Sequence, residues 1–487
     1  MDCFSVHVLV SQYCSLIIYM ACHWYRKILP IPDGGSDGPL PPNDYYNLNH
    51  WKRLLYRLKY RPRRVADLTM IFFSIFLEWL GSTLLAPVTP WYVEELAPDM
   101  NQGTAASILM ASYAVGTFIA SLISGPLSDR FGRRPVFLAG MTIYTVAQFL
   151  VANAWDLTTF AVFRAIGGTA AGSRPVIIAY LIDSSRPVDM KLYGAFLGLS
   201  VVVGRSIGPI IGGALASVSL SFPFYFIGIV AAVLLMLMFL FLRESLVKDK
   251  NGNPIKPAGM NMVDPPRNKY LVPTVMCLSL ASFCGQTIGI TWQTVFGLIG
   301  VDYYGLTTSQ NGSALGVQAV APVVMNLIYL PLTHFIPAAL VGSMGMLISM
   351  IIMVVPFVHN LAAVIVLGLC MQAGTSLYFA GQAYYNSVIA PPKKRGLVNS
   401  CVMASSNVGG IVGPLVAGDL YDLGLFDPFY FSISLSATGF VACIGIFFGM
   451  RYQMNLYRSA QRDSRERAQG QDEDADRATV ASPRSHE

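Results

Sequence analysis

The sequence predicts an all-α membrane protein with twelve transmembrane helices in two six-helix pseudo-symmetric halves. Three observations carry that prediction. The chain is 54% hydrophobic and only 12% charged over 487 residues, whereas soluble domains run near a quarter charged. A water-facing surface of this size cannot be built from so few charges. Apolar segments of about 20 residues, the length that crosses a bilayer core, recur along the chain. The Lys and Arg residues, finally, collect in every second loop between those segments.

Spans are expected near 67–90, 104–125, 136–154, 157–182, 192–217, 223–242, 271–298, 307–332, 336–357, 360–389, 396–421 and 428–450. Of the 33 Lys and Arg residues, nine precede the first span, and Arg130, Arg133 and Arg134 lie between the second and third. Arg186 and Lys191 lie between the fourth and fifth, six lie within 243–269, Lys393, Lys394 and Arg395 lie between the tenth and eleventh, and seven lie at or after Arg451. All these loops fall on one side. The opposite loops carry Glu94, Glu95, Asp99, Asp156, Asp302, Asp422 and Asp427 and no cation. The positive-inside rule then places both termini in the cytoplasm, unless apolar residues 4–22 form an extra span. Three cations remain inside spans: Arg164, Arg174 and Arg205.

The halves repeat at an offset of 205 residues. Pro223-Phe224-Tyr225-Phe226 returns as Pro428-Phe429-Tyr430-Phe431, Gly208-Pro209 as Gly413-Pro414, Gly204 as Gly409 and Gly213 as Gly418. An even number of spans separates the repeats, so both halves share one orientation. Parallel halves with a site at their interface are a transporter plan. The organisation read from this is an N-terminal extension (1–65), a first half (66–245), a linker (246–270), a second half (271–450) and a disordered cytoplasmic tail (451–487). Residues 51–64 carry seven cations with leucines interleaved, which suits a helix lying on a membrane surface.

Several motifs resemble the major facilitator superfamily. Gly125-Pro126-Leu127-Ser128-Asp129-Arg130-Phe131-Gly132-Arg133-Arg134 resembles its signature loop, and Arg164-Ala165-Ile166-Gly167-Gly168 its fourth-helix motif. Gly204-Arg205-Ser206-Ile207-Gly208-Pro209-Ile210-Ile211-Gly212-Gly213 resembles its fifth-helix antiporter motif. Glu78-Trp79-Leu80-Gly81, followed by Pro87-Val88-Thr89-Pro90, is similar to the first helix of tetracycline and related drug/proton antiporters. The resemblance spans roughly residues 66–450 and is weaker in the second half. It implies alternating access, with drug efflux by proton antiport as the expected activity. It also implies a conformational latch at Gly125, Asp129, Arg130, Gly132, Arg133 and Arg134, with Asp129 facing the start of the eleventh span. Arg174 and Arg205 depart from the pattern, which favours small or apolar residues there. His334 stands where Asp129 would map in the second half.

A charge at the bilayer centre costs roughly 2.5–3.5 kcal/mol even on a lenient scale. Glu78, the one carboxylate deep within an expected span, therefore reads as a proton-coupling group, with Ser74, Gly81 and Ser82 on its helical face. Arg164 is its expected partner, because it also matches a family motif; a static ion pair is the bland alternative. Arg174 and Arg205 are candidate substrate contacts, with Gln286, Trp292, Gln293, Gln318 and Gln382 as uncharged company. Gly204, Gly208, Pro209, Gly212, Gly413 and Pro414 permit close helix approach and bending, and their repetition points to a rocking interface.

The expected partners are a small organic substrate, protons and membrane lipids, with the protein a monomer. No cofactor, metal or nucleic-acid partner is indicated, and no nucleophile–base arrangement suggests an enzyme. An organic-anion uniporter or exchanger using the three Arg residues is the rival within transport. A receptor or scaffold without flux is the rival outside it. The membrane is the plasma membrane or an internal, vacuolar or vesicular one.

Overall fold

The structure is a computed structural model that describes residues 62–171, 174–184, 190–245, 269–389 and 395–480. The expectations for residues 4–22, for 51–61 and for most of the linker lie outside the described residues. Fifteen α-helices are present among the described residues, and no strand. In the first half they are α1 (Pro62–Thr83), α2 (Thr89–Leu96), α3 (Gln102–Phe131), α4 (Arg133–Ala152), α5 (Leu157–Ala171), α6 (Arg174–Ser184), α7 (Met190–Ala216) and α8 (Phe222–Phe241). In the second half they are α9 (Leu271–Asp302), α10 (Thr308–Gln318), α11 (Val320–Phe335), α12 (Ala338–Ser349), α13 (Leu361–Ile389), α14 (Arg395–Leu423) and α15 (Asp427–Val480). A short 3-10 turn, Ala86–Val88, joins α1 to α2, and another, Met350–Phe357, extends α12.

Eleven stretches among the described residues are long and apolar enough to cross a membrane. The expected fourth span is present as the consecutive helices α5 and α6. Large apolar side chains on α8 such as Ile229, Val233, Met236 and Phe239 are more than half exposed, as befits a helix facing lipid rather than water. The protein is an integral, multi-pass membrane protein.

At the C-terminal end α15 runs to Val480, through polar residues that hydropathy alone does not mark as helical. A helix extending from a packed stem needs no new nucleus. Residues 451–480 are also rich in Arg, Ala and Gln, which are strong helix formers.

The glycine motifs act within each half. A Cβ on Gly204 would lie 2.5 Å from the Phe76 carbonyl oxygen, and one on Gly409 would lie 2.6 Å from that of Phe283. Gly208 and Gly212 likewise press α7 onto Thr83 and Leu84 at the end of α1, and Gly413 presses α14 onto Thr287 of α9. Thr83 Oγ1 donates to the Arg205 carbonyl at 3.4 Å, and Thr287 Oγ1 to that of Gly409 at 3.3 Å. The repeat in sequence is thus a repeat in contacts: α7 on α1, and α14 on α9. The expected rocking interface is therefore corrected, since Gly204, Gly208, Gly212 and Gly413 bind helices of one half together. Pro209 and Pro414 lie inside α7 and α14, and the Pro209 carbonyl reaches the other half, at Gly312.

Other glycines join the halves. Gly213 of α7 meets Gly312 of α10, where an added Cβ would fall 2.9 Å from the Gly312 Cα, and Gly103 of α3 meets Gly418 of α14 backbone to backbone. These two contacts are related by the same 205-residue offset on α7 and α14. Both sit at the end of the bundle that carries the acidic loops. There Asp422 accepts hydrogen bonds from the Gly103 and Thr104 amides, at 2.8 and 2.9 Å, and from the Thr104 hydroxyl at 2.7 Å. Asn311 donates to the Pro87 carbonyl at 3.0 Å. Toward the basic end the packing loosens: a Cβ on Gly194 or Gly198 would meet nothing within 4 Å. Leu122, Ile123 and Leu127 of α3 are exposed there. The halves are sealed at the acidic end in this state.

Gly418→Val should force that seal apart, because overpacking a tight contact costs about 1–3 kcal/mol. Spin labels at the exposed positions Met100 and Leu423 should report a longer distance population in the variant. An unchanged distance distribution would mean that the seal does not depend on the Gly103–Gly418 contact.

Candidate functional site

A cavity of about 620 Å³, including its part open to solvent, lies between the halves. Trp79, Ser82 and Thr83 of α1 line it, with Met110, Tyr113, Ala114 and Thr117 of α3. Arg174 of α6 and Arg205 of α7 complete the first-half wall. Gln286, Ile290 and Gln293 of α9 and Ser406, Asn407 and Gly410 of α14 form the other wall. Within each helix these positions are separated by one, three or four residues, the spacing of one helical face.

Glu78 is buried, and its partner is Arg174. Arg174 donates to Glu78 Oε1 through Nη2 at 2.8 Å and through Nε at 3.1 Å. The Arg174 guanidinium also lies 4.4 Å from the centre of the Trp79 ring, a cation–π distance. The expected Glu78–Arg164 pair is therefore corrected. The first and fourth spans run antiparallel, and Arg164 and Arg174 are ten residues apart, about 15 Å along the helix direction. Depth, which a motif does not encode, puts Arg174 level with Glu78. Arg164 is buried nearer the acidic end, donates to the Ser82 carbonyl at 2.9 Å and lies 5.4 and 5.8 Å from the rings of Tyr113 and Phe224. Of the polar face expected beside Glu78, Ser82 reaches the cavity, while Gly81 packs against Tyr144.

Arg205 lines the cavity opposite α9, where Gly289 leaves room for it: a Cβ there would lie 3.1 Å from Nη2. Its guanidinium is 5.9 Å from the Trp79 ring centre and makes no hydrogen bond or ion pair with a described residue.

Among the uncharged candidates, Gln286 and Gln293 line the cavity. Trp292, Gln318 and Gln382 do not. Trp292 and Gln318 bind each other inside the second half at 2.6 Å, and Gln382 donates to Ser282 at 2.8 Å beside Tyr378. Buried amides in an apolar bundle find protein partners first, so these three are internal glue. Sequence reasoning missed Tyr113, Thr117, Ser406 and Asn407. The four-residue spacing of Tyr113 and Thr117 was a usable signal.

At the basic end, Gly132 (φ +105°) turns the chain from α3 into α4 with a backbone that favours glycine. The Glu244 carboxylate, just past α8, accepts from the Arg133 and Arg134 amides at 2.9 and 3.0 Å, an acid at a helix N-terminus where the dipole favours it. Arg134 Nη2 donates to the Phe239 carbonyl at 2.7 Å, and Arg130 lies over Phe131. Asp129 is exposed and pairs with Arg133, which also donates to Ser128. The expected contact of Asp129 with the start of the eleventh span is absent among the described residues in this state. Gly125 lies within α3, one turn before Asp129. The loop is braced inside its own half, and Glu244, which sequence reading passed over, is the brace.

The model of the Major Facilitator Superfamily matches residues 71–303 and 281–481. The chain belongs to that superfamily. Its members are transporters rather than enzymes. Multidrug resistance protein 1 of Bacillus subtilis is 26% identical over 394 residues, 78% of this chain and 96% of that protein. The quinolone resistance protein NorA of Staphylococcus aureus is 23% identical over 382 residues, 76% of this chain and 94% of that one. The fold is similar to that of the human organic anion transporter MFSD10 (TM-score 0.61, 19% identity, 79% of this chain and 99% of the other). It is also similar to a bacterial homolog of the human lysosomal transporter Spinster in an inward-facing conformation (TM-score 0.59, 15% identity, 83% and 98%).

The pairing in this superfamily member can be tested by double-mutant cycles read by reversible denaturation in mixed micelles. Glu78→Gln with Arg174→Gln should give a coupling of about 1 kcal/mol or more, the range for groups in direct contact. Glu78→Gln with Arg164→Gln should be close to additive. The reverse pattern would restore Arg164 as the partner.

Proposed function

We propose that this chain is a proton-coupled antiporter of a small, amphipathic organic molecule, working by alternating access. One observation carries the reading: the Glu78–Arg174 ion pair stands at the wall of a cavity between two halves that are sealed at one end. Deprotonated Glu78 holds Arg174 and neutralises it. A proton on Glu78 removes that charge and leaves the guanidinium to face the cavity. A freed cation in a low-dielectric site raises the electrostatic cost of any positively charged cargo group. Proton and cargo then compete for one state of the site, which is the requirement for exchange. The names of the resistance proteins to which the chain is similar support an organic cargo.

In this reading the basic end is cytoplasmic, as the positive-inside rule favours. The sealed acidic end makes the present state open to the cytoplasm, where an exporter loads. The halves 66–245 and 271–450 move as units about the linker. The signature loop engages the start of α14 in the opposite state. A second reading, uniport or exchange of an organic anion, is favoured by Arg205, which has no ion pair among the described residues.

Purified protein in liposomes with an acidic interior should accumulate an amphipathic fluorescent cation against its gradient. Glu78→Gln should abolish accumulation driven by the pH gradient while leaving downhill counterflow. Accumulation that survives in Glu78→Gln would sink the coupling role. Flux indifferent to the pH gradient in the unmodified protein would favour the anion reading.

A further inference from the structure

Three donors on residues of the cavity wall lack partners among the described residues, alongside the Gln286 and Gln293 amides, which carry both donors and acceptors. The Arg205 guanidinium has neither ion pair nor hydrogen bond. Trp79 Nε1 and the Tyr113 hydroxyl are buried with no hydrogen-bond partner. An indole N–H and a guanidinium can only donate, and a phenol readily does so. Leaving such groups unmet in an apolar bundle is costly. The lining holds no Asp or Glu, and the adjacent Glu78 is taken up by Arg174. The cavity thus carries one uncompensated positive charge, at Arg205. Gly289, on the opposite half, gives the guanidinium room and aims it across the interface.

We propose that Arg205 is the centre of a subsite for a carboxylate, and that the cargo is a zwitterionic amphipath whose cationic group lies toward Glu78. The first part follows from the uncompensated guanidinium in a lining without Asp or Glu. The second rests on the antiport reading. A cargo bearing only a negative charge would favour the proton on Glu78, since a nearby anion stabilises the protonated carboxyl. Proton and cargo would then bind together, and cotransport would result. Exchange requires a positive cargo group that competes with the proton. A molecule with both charges on an aromatic or aliphatic body meets Arg205 at one end and Glu78 at the other.

Three probes with one aromatic body separate these charges: naphthylalanine, its methyl ester and its N-acetyl derivative. Binding to the purified full-length protein in nanodiscs is measured near neutral pH with no gradient. The free amino acid should bind about tenfold or more tighter than the ester, as expected for a charge-assisted hydrogen bond in a buried site. Arg205→Gln should erase that preference while leaving ester binding unchanged, which also shows that the variant is folded. Arg205→Lys should retain part of it. The N-acetyl acid should bind more weakly than the amino acid, and Glu78→Gln should remove this difference.

Equal binding of acid and ester, or no binding of the acid, overturns the subsite. Equal binding of the amino acid and its N-acetyl derivative overturns the zwitterion. If every preference holds and a pH gradient still drives no flux, the antiport reading fails and the carboxylate subsite stands.

Discussion

The arrangement of this protein depends on one constraint: a guanidinium inside a bilayer must find oxygen, a π face or water. Three such groups enter the first half, and each solves the problem differently. Arg174 takes the Glu78 carboxylate and the face of Trp79. Arg164 takes a backbone carbonyl and two aromatic rings. Arg205 has the edge of the cavity, the space left by Gly289 and the Trp79 ring at 5.9 Å. Helix depth, aromatic placement and the position of the cavity are linked through these three side chains.

The glycine stripes make that placement possible. Where α7 lies on α1 at Gly204 and Gly208, the backbones are close enough that neighbouring side chains converge on one small volume. The same approach of α14 to α9 shapes the other wall. At the acidic end a second set of glycines brings the two halves together, and Asp422 fastens α14 to the start of α3. Tight packing inside each half and a seal at one end of the interface serve different purposes. The first makes each half rigid, and the second is a contact that alternating access must break.

The electrostatics of the two ends differ in the same way. The basic end is braced within the first half, with Glu244 across the start of α4 and Arg243 on Asp67 at 2.8 Å. None of these bonds crosses to the second half. At the acidic end Asp422 and Asn311 cross between the halves, and farther along the interface Ser206 donates to the Ala319 carbonyl at 2.6 Å and Asn407 to Ser121 at 3.3 Å. A half braced at one end and joined to its partner at the other is suited to pivot.

Composition, span length and the alternation of charge in the loops determined the fold class, because the cost of burying charge and unpaired backbone in lipid leaves few alternatives. The repeat offset determined that the halves are parallel copies. The motif residues determined the family resemblance and singled out Glu78, Arg174 and Arg205 by their chemistry alone. Tertiary structure decided which of those residues meet. Pairing depends on depth along antiparallel helices, so Glu78 met Arg174 although the motif pointed to Arg164. Trp292, Gln318 and Gln382 left the cavity because side-chain partners within the second half claimed them. The repeated glycines proved internal to each half, since a one-dimensional spacing fixes a helix face but not the helix it touches.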